Sequence, residues 1–155
     1  LPAFASDAEK REILHYFEER FGIPERAFHG FRLLIEKKTV WVVSDSPGLE
    51  EILGKLKIET AGVPLLRLGS FWKPTTAGLQ LFSQEASRNT IELDDHSLKA
   101  FLTRANLEGP LPLEPGYVIL RWKGSVLGCG IYGRRGLRCQ ISEDWLRRLK
   151  GGPTL

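Results

Sequence analysis

Methionine is absent altogether, even from position 1, and cysteine occurs only twice. A chain with no initiating methionine is expected to be trimmed or to belong to something longer. Cys129 and Cys139 form no C-x-x-C and have no histidine at ligand spacing. That excludes a zinc site and a secreted disulfide framework, and a reducing, cytoplasmic setting is expected. No apolar run approaches the roughly 20 residues that a membrane span needs. Leu1 to Ser6 lack the basic start and long apolar stretch of a signal peptide. No membrane partner is therefore expected.

What the chain does have is apolar material: 42% of its 155 residues are hydrophobic and 10% aromatic, enough for a core without metal or disulfide support. Its charge is unevenly placed. Residues 1 to 60 carry 9 basic and 11 acidic side chains, residues 61 to 120 carry 5 and 6, and residues 121 to 155 carry 8 and 2. The C-terminal end alone is strongly positive.

The pattern of elements is mixed. Ser6 with Glu9 is a capping box, and Ile13, Leu14, Phe17 and Phe21 follow at helical spacing until Gly22 and Pro24, which predicts a helix over 7 to 21. Phe31 to Ile35 and Thr39 to Ser44 read as a hairpin. Ser46 and Pro47 start a helix with Leu49, Ile52 and Leu53 on one face, and a strand follows near Val63 to Leu68. After the loop at Lys73 to Thr76, a short helix carries Leu79, Phe82 and Ala86, although Ala77, Leu79 and Leu81 would also suit a strand. A second unit begins near Asn89, with a strand over 90 to 93 and a helix from Asp94 or Asp95 to about Asn106. Beyond a Pro/Gly-rich connector, Tyr117 to Trp122, Ser125 to Tyr132 and Leu137 to Ile141 read as a three-stranded meander. Ser142 caps a last helix that Gly151 ends.

Three motifs invite chemistry and are outweighed by plainer readings. Gly128-Cys-Gly-Ile-Tyr-Gly133 spells G-x-G-x-x-G, but a dinucleotide site needs a helix beginning within it, and here a turn and a strand follow. The glycines are expected to let a strand bend or lie close to its neighbours. His15, His29 and His96 are far apart, with no nucleophile elbow or metal-binding helix, and His15 is expected to be half-buried and structural. Cys139 alternates with Leu137 and Ile141 and is expected in the core, whereas Cys129 is left open. Neither catalysis nor a cofactor is expected.

What remains is basic and aromatic. Arg121, Trp122, Lys123, Tyr132, Arg134, Arg135 and Arg138 fall on the meander or its turns, with Arg147, Arg148 and Lys150 just after. Arginine forks pair with phosphate and stack on bases, so this cluster predicts an RNA-binding surface. Arg121, Lys123, Arg134, Arg135 and Arg138 are the expected phosphate contacts and Tyr132 a stacking platform, with Lys73 and Arg104 extending the surface. The rival reading is a protein-binding adaptor in which an exposed Trp72 or Trp122 anchors a partner.

The run Leu93-Asp-Asp-His-Ser-Leu-Lys-Ala-Phe-Leu102, the strand Gly116-Tyr-Val-Ile-Leu-Arg-Trp-Lys-Gly124, the Leu127-Gly-Cys-Gly130 strand and Leu137-Arg-Cys-Gln-Ile141 resemble a PUA domain, the RNA-binding module of pseudouridine synthases and archaeosine transglycosylases. The likeness spans roughly residues 90 to 150. The nearest flavour is the C-terminal PUA-like region of Sun-type RNA 5-methylcytosine methyltransferases, whose preceding segment is similar to Val40-Trp-Val-Val-Ser44 and Ala61-Gly-Val-Pro-Leu-Leu-Arg-Leu-Gly69. A last strand ending in Asn or Arg before Pro is usual there; Gln140-Ile-Ser142 stands in its place. Neither a Rossmann methyltransferase domain nor its Pro-Cys nucleophile occurs in these residues. The resemblance implies an N-terminal α/β unit over 1-88 and a PUA-like mixed β pseudobarrel over 89-155. It implies binding of ribosomal or transfer RNA in RNA modification or ribosome biogenesis, with a methyltransferase or ribosome-assembly factor as a further partner. The enzymatic alternative is the RNA-recognition end of such a methyltransferase.

Overall fold

The computed structural model describes residues 1–151, so the expected stop of the last helix at Gly151 lies at their limit and the side chain of Lys150 outside them. Strand β1 (Ala3–Phe4) leads into helix α1 (Asp7–Phe21). The Ser6 hydroxyl accepts from the Glu9 N–H at 3.1 Å while the Glu9 carboxylate accepts from the Ser6 N–H at 2.9 Å, so both ends of the capping box close. Gly22, at φ 65°, ends the helix in the left-handed conformation that its missing Cβ permits. Ile13, Leu14, Phe17 and Phe21 form the buried face, as the spacing predicts.

Strands β2 (Phe31–Glu36), β3 (Thr39–Ser44), β4 (Val63–Arg67) and β5 (Lys73–Pro74) complete an antiparallel sheet in the order β1-β2-β3-β4-β5. The helix expected after Pro47 is a single turn, α2 (Leu49–Ile52), passing into a 3-10 turn, and Ile52 is exposed instead of sharing the apolar face of Leu49. One further turn, α3 (Ile58–Ala61), precedes β4. The segment that suited either helix or strand is helix α4 (Thr76–Phe82), which the Thr75 hydroxyl caps by accepting from the Gly78 N–H at 2.9 Å.

The second sheet holds β6 (Thr90–Leu93), β7 (Gly116–Trp122), β8 (Ser125–Gly133) and β9 (Gly136–Cys139) in that order. β7 to β9 are the expected meander, whereas β6 runs parallel to β7, with Thr90 opposite Ile119. A parallel pair needs a long crossover. Helix α5 (Asp95–Leu102) and the proline-rich connector supply it. α5 stops short of Asn106 because Arg104 turns into the left-handed region at φ 63° and the Ala105 N–H reaches back to the Ala100 carbonyl at 2.8 Å. Helix α6 (Glu143–Gly151) follows β9, with the Ser142 hydroxyl accepting from the Trp145 N–H.

The apolar run on β7 is explained by burial on both faces. Ile119, with Val126 and Cys129 of β8, joins Phe17 and Phe21 of α1, Leu79 and Phe82 of α4 and Leu65 and Leu66 of β4 in the largest core. Val118 and Leu120 point the other way, into a second core with Leu93, Phe101, Leu137 and Ile141. Val118, Ile119 and Leu120 are all at zero exposure. Burying side chains of this size contributes about 1.5–3 kcal/mol each, so the same three residues bind the second sheet to its own helix and to the first half of the chain.

Candidate nucleic-acid interface

The glycine motif lies wholly on β8 and is followed by a turn and β9, so no helix N-terminus faces it. A Cβ at Gly128 would stand 2.9 Å from the Thr76 hydroxyl and 3.0 Å from Ile141 Cγ1. One at Gly130 would meet the Leu120 side chain at 3.0 Å and the Arg138 carbonyl at 3.1 Å. The glycines let α4 and the neighbouring strands approach. Between them Cys129 is buried, and desolvation pushes its thiol up to about 12 despite the opposing pull of Lys73. Cys139 is half-buried against the second core. His15, expected to be half-buried, is exposed, because its position on α1 faces away from the Phe17–Phe21 stripe. Among the described residues, no group of three or more His, Cys, Asp or Glu side chains could hold a metal ion.

The basic cluster divides into residues with internal work and residues that face outward. Arg121 donates to the Ser83 carbonyl at 3.4 Å and the Gln84 carbonyl at 3.2 Å, satisfying acceptors left over at the end of α4. Tyr132 is half-buried, and its hydroxyl accepts from the Leu111 N–H at 2.9 Å, pinning the connector over β8. Both side chains are part-buried and carry an internal bond in addition to the outward role expected of them. Lys123 is exposed on the β7–β8 turn, 4.7 Å from the centre of the Trp122 ring, and the Trp122 indole donates to Asp95 at 3.0 Å. This pair is separate from the rest.

Four arginines converge at the other end of the meander. Arg134 and Arg135 form the β8–β9 turn and Arg138 stands on β9, all exposed. Leu107 is bridged to Leu137 of β9, and the Asn106 side chain donates to the Arg135 carbonyl at 3.4 Å, which brings exposed Arg104 alongside. Among the described residues, none of these four guanidinium groups has a carboxylate within ion-pair distance. Arg134, Arg135 and Arg138 thus stand exposed on one short stretch of β8–β9, with Arg104 two residues from the Asn106 tie and the Glu108 backbone lying against Gly136.

A groove opens beside this edge, between α1, the β4–β5 loop and the second sheet, with a volume of about 520 Å³. Its walls include Tyr16, Arg20, Phe71, Trp72, Tyr117 and Ile131. Tyr117, Ile131 and Arg138 are successive cross-strand neighbours on β7, β8 and β9, so they share one face. Trp72 is half-buried against Tyr16, their ring centres 5.6 Å apart, and Phe71 is 84% exposed. Lys73 lies 5.9 Å from the centre of the Tyr117 ring and donates to Gln140 at 3.4 Å. Arg20 is held by the Tyr117 and Glu114 carbonyls, both at 2.9 Å. Sequence reasoning singled out Trp72 and missed Phe71; an aromatic pair after Gly69-Ser70 and before a lysine was the available signal.

In sequence, the chain matches no family model and no curated protein. In structure, it is similar to a conserved PUA domain protein from Thermoplasma acidophilum, with a TM-score of 0.53 and 14% identity over 98% of this chain and 88% of that one. The likeness establishes a PUA-like fold, a mixed arrangement of helices around two sheets. No described helix is long and apolar enough to cross a membrane.

Proposed function

We propose that this chain binds structured RNA through the four-arginine edge of β8 and β9. The observation that carries the reading is the convergence of Arg104, Arg134, Arg135 and Arg138, exposed and without carboxylate partners, on a PUA-like fold. Guanidinium forks on a firm scaffold suit phosphates, and a four-cation edge suits the backbone of a folded RNA more than a single small anion. The RNA is ribosomal or transfer RNA, and the setting RNA modification or ribosome biogenesis. In a second reading, which only the motif resemblance at residues 40–44 and 61–69 suggests, the chain is the recognition end of a Sun-type methyltransferase, the chemistry lying elsewhere. Lys73 extends the surface into the groove, and Lys123 is a peripheral contact.

Titration of a labelled RNA hairpin with the chain at rising salt tests this. Each phosphate neutralised should steepen the log–log dependence by about 0.7–0.9, so four contacts give a slope near −3. Binding that ignores salt, or a cellular partner retained after nuclease treatment with no affinity for RNA hairpins, would favour the adaptor.

A further inference from the structure

A second concavity, of about 450 Å³, lies against the outer face of α1, where Glu12, His15, Tyr16 and Glu19 meet Trp72. The charges on its far side are already engaged. Arg20 donates to the Tyr117 and Glu114 carbonyls, and the Glu114 carboxylate is shared between Arg88 at 3.2 Å and Arg20 at 3.9 Å. Glu12 and Glu19 differ: both are exposed, and among the described residues neither has a cation within ion-pair distance. The concavity also holds two rings on fixed backbone. Tyr16 packs edge-on against Phe17 and Phe21 of the core, and its hydroxyl donates to the Trp72 carbonyl at 3.4 Å. Half-buried Trp72 sets its ring centre 5.6 Å from that of Tyr16.

Two free carboxylates beside an aromatic floor repel a phosphate backbone and attract cations. Their spacing narrows the choice. Glu12 and Glu19 stand seven residues apart on one helix face, about 10.5 Å along the axis, so one ammonium or guanidinium cannot meet both. A polyproline II segment has three residues per turn, which puts side chains three positions apart on the same side, roughly 9 Å from each other. Such a segment is also stiff before it binds and packs its proline rings on aromatic side chains. We propose that this concavity docks a polyproline II segment of a protein partner that has a basic residue at each end of a two-proline step. The cations meet Glu12 and Glu19, and the prolines lie on Tyr16 and Trp72. The site uses none of the four arginines of the β8–β9 edge, so it stands or falls apart from RNA binding.

The test titrates the full chain into three labelled, end-blocked peptides and reads polarisation: Lys-Pro-Pro-Lys, its rearrangement Lys-Lys-Pro-Pro, and Gln-Pro-Pro-Gln. The first should bind about tenfold more tightly than either of the others, as two rim ion pairs in register would give. Replacing Glu12 and Glu19 together by Gln should abolish that preference, and both are exposed, so the variant is expected to fold. Glu18→Gln changes an exposed acid of α1 outside the concavity and should keep the preference. Trp72→Phe should keep binding and Trp72→Ala should weaken all three peptides. Equal affinity for the three peptides, a preference that survives loss of both Glu12 and Glu19, or an equal loss in Glu18→Gln overturns the proposal, the last by assigning the attraction to net charge. Self-association of the parent that the paired Glu12→Gln and Glu19→Gln change abolishes would make the occupant a second copy of the chain and also overturn it.

Discussion

The Arg20 side chain near the end of α1 donates to the Tyr117 carbonyl on β7 at 2.9 Å, joining residues 97 positions apart. It makes a second bond to the Glu114 carbonyl, and Asn89 completes the clasp by donating to the Arg20 carbonyl and accepting from the Glu114 N–H, both at 2.8 Å. Partial burial disfavours the charge on Arg20 and lowers its pKa, against the opposing pull of Tyr16 and Glu114. Arg20→Ala should cost about 2–3 kcal/mol, because charge-assisted bonds are lost and a carbonyl is left poorly satisfied. Arg20→Lys should recover only part, since an ammonium on a flexible stem does not reproduce the planar fork. Urea midpoints check this; a parent-like midpoint for Arg20→Ala would show that its side-chain bonds add nothing to the packing of α1 on β7.

At Gly128 an added methyl would meet Thr76 and Ile141 at about 3 Å. We expect Gly128→Ala to destabilise the chain by about 1–3 kcal/mol through overpacking between β8, α4 and the end of β9. The measurement is a thermal melt. If the motif served a cofactor instead, the melt would stay in place and a ligand would be lost.

The local elements were legible because their signals are local. Ser6, Glu9 and Gly22 bracket α1, and Phe31 to Ser44 fold back on themselves across a two-residue turn. The parallel register of β6 on β7 was not, since Thr90 and Ile119 are brought together by α5, the connector and the Asn89 clasp, none of which leaves a pattern in either strand. The same limit applies to the site. Arg121 and Tyr132 look like surface ligands in sequence, and only the fold shows that the Gln84 carbonyl and the Leu111 N–H also engage them. Phe71 falls in no periodic apolar pattern, and only the fold shows that it is left in water.

Alkaline stability should follow the buried thiol. Cys129 is pushed from an ordinary 9.0 to about 12 in the folded chain, so between those values the unfolded chain has lost a proton that the folded chain keeps. Stability is therefore full below pH 9 and falls as pH rises, by up to about 1.4 kcal/mol per pH unit for one such group. Burial pushes Tyr16 up as well, which adds a second decline above pH 10. Cys129→Ala should flatten the first decline and leave the second, with a residual slope from Cys139, whose thiol burial also raises. Urea midpoints taken from pH 8 to pH 10.5 read this out. An equally steep fall in Cys129→Ala would assign the loss to other groups.

The arginine turn and Tyr132 should separate cleanly. Replacing Arg134 and Arg135 together by Ala removes two exposed, unpaired charges, so stability should stay within about 0.5 kcal/mol. Affinity for every RNA hairpin should fall alike, and the salt slope should flatten by about 1.4, following about 0.7 for each phosphate contact. Tyr132→Phe should do the reverse. It strips the acceptor from the Leu111 N–H, costing about 1 kcal/mol of stability, and should leave RNA affinity and salt slope at the parent's values because the ring is retained. A double arginine variant with the parent's slope would reduce the turn to a solvated surface, whatever Tyr132 does, since no other part of the edge places two charges so near each other on so short a turn.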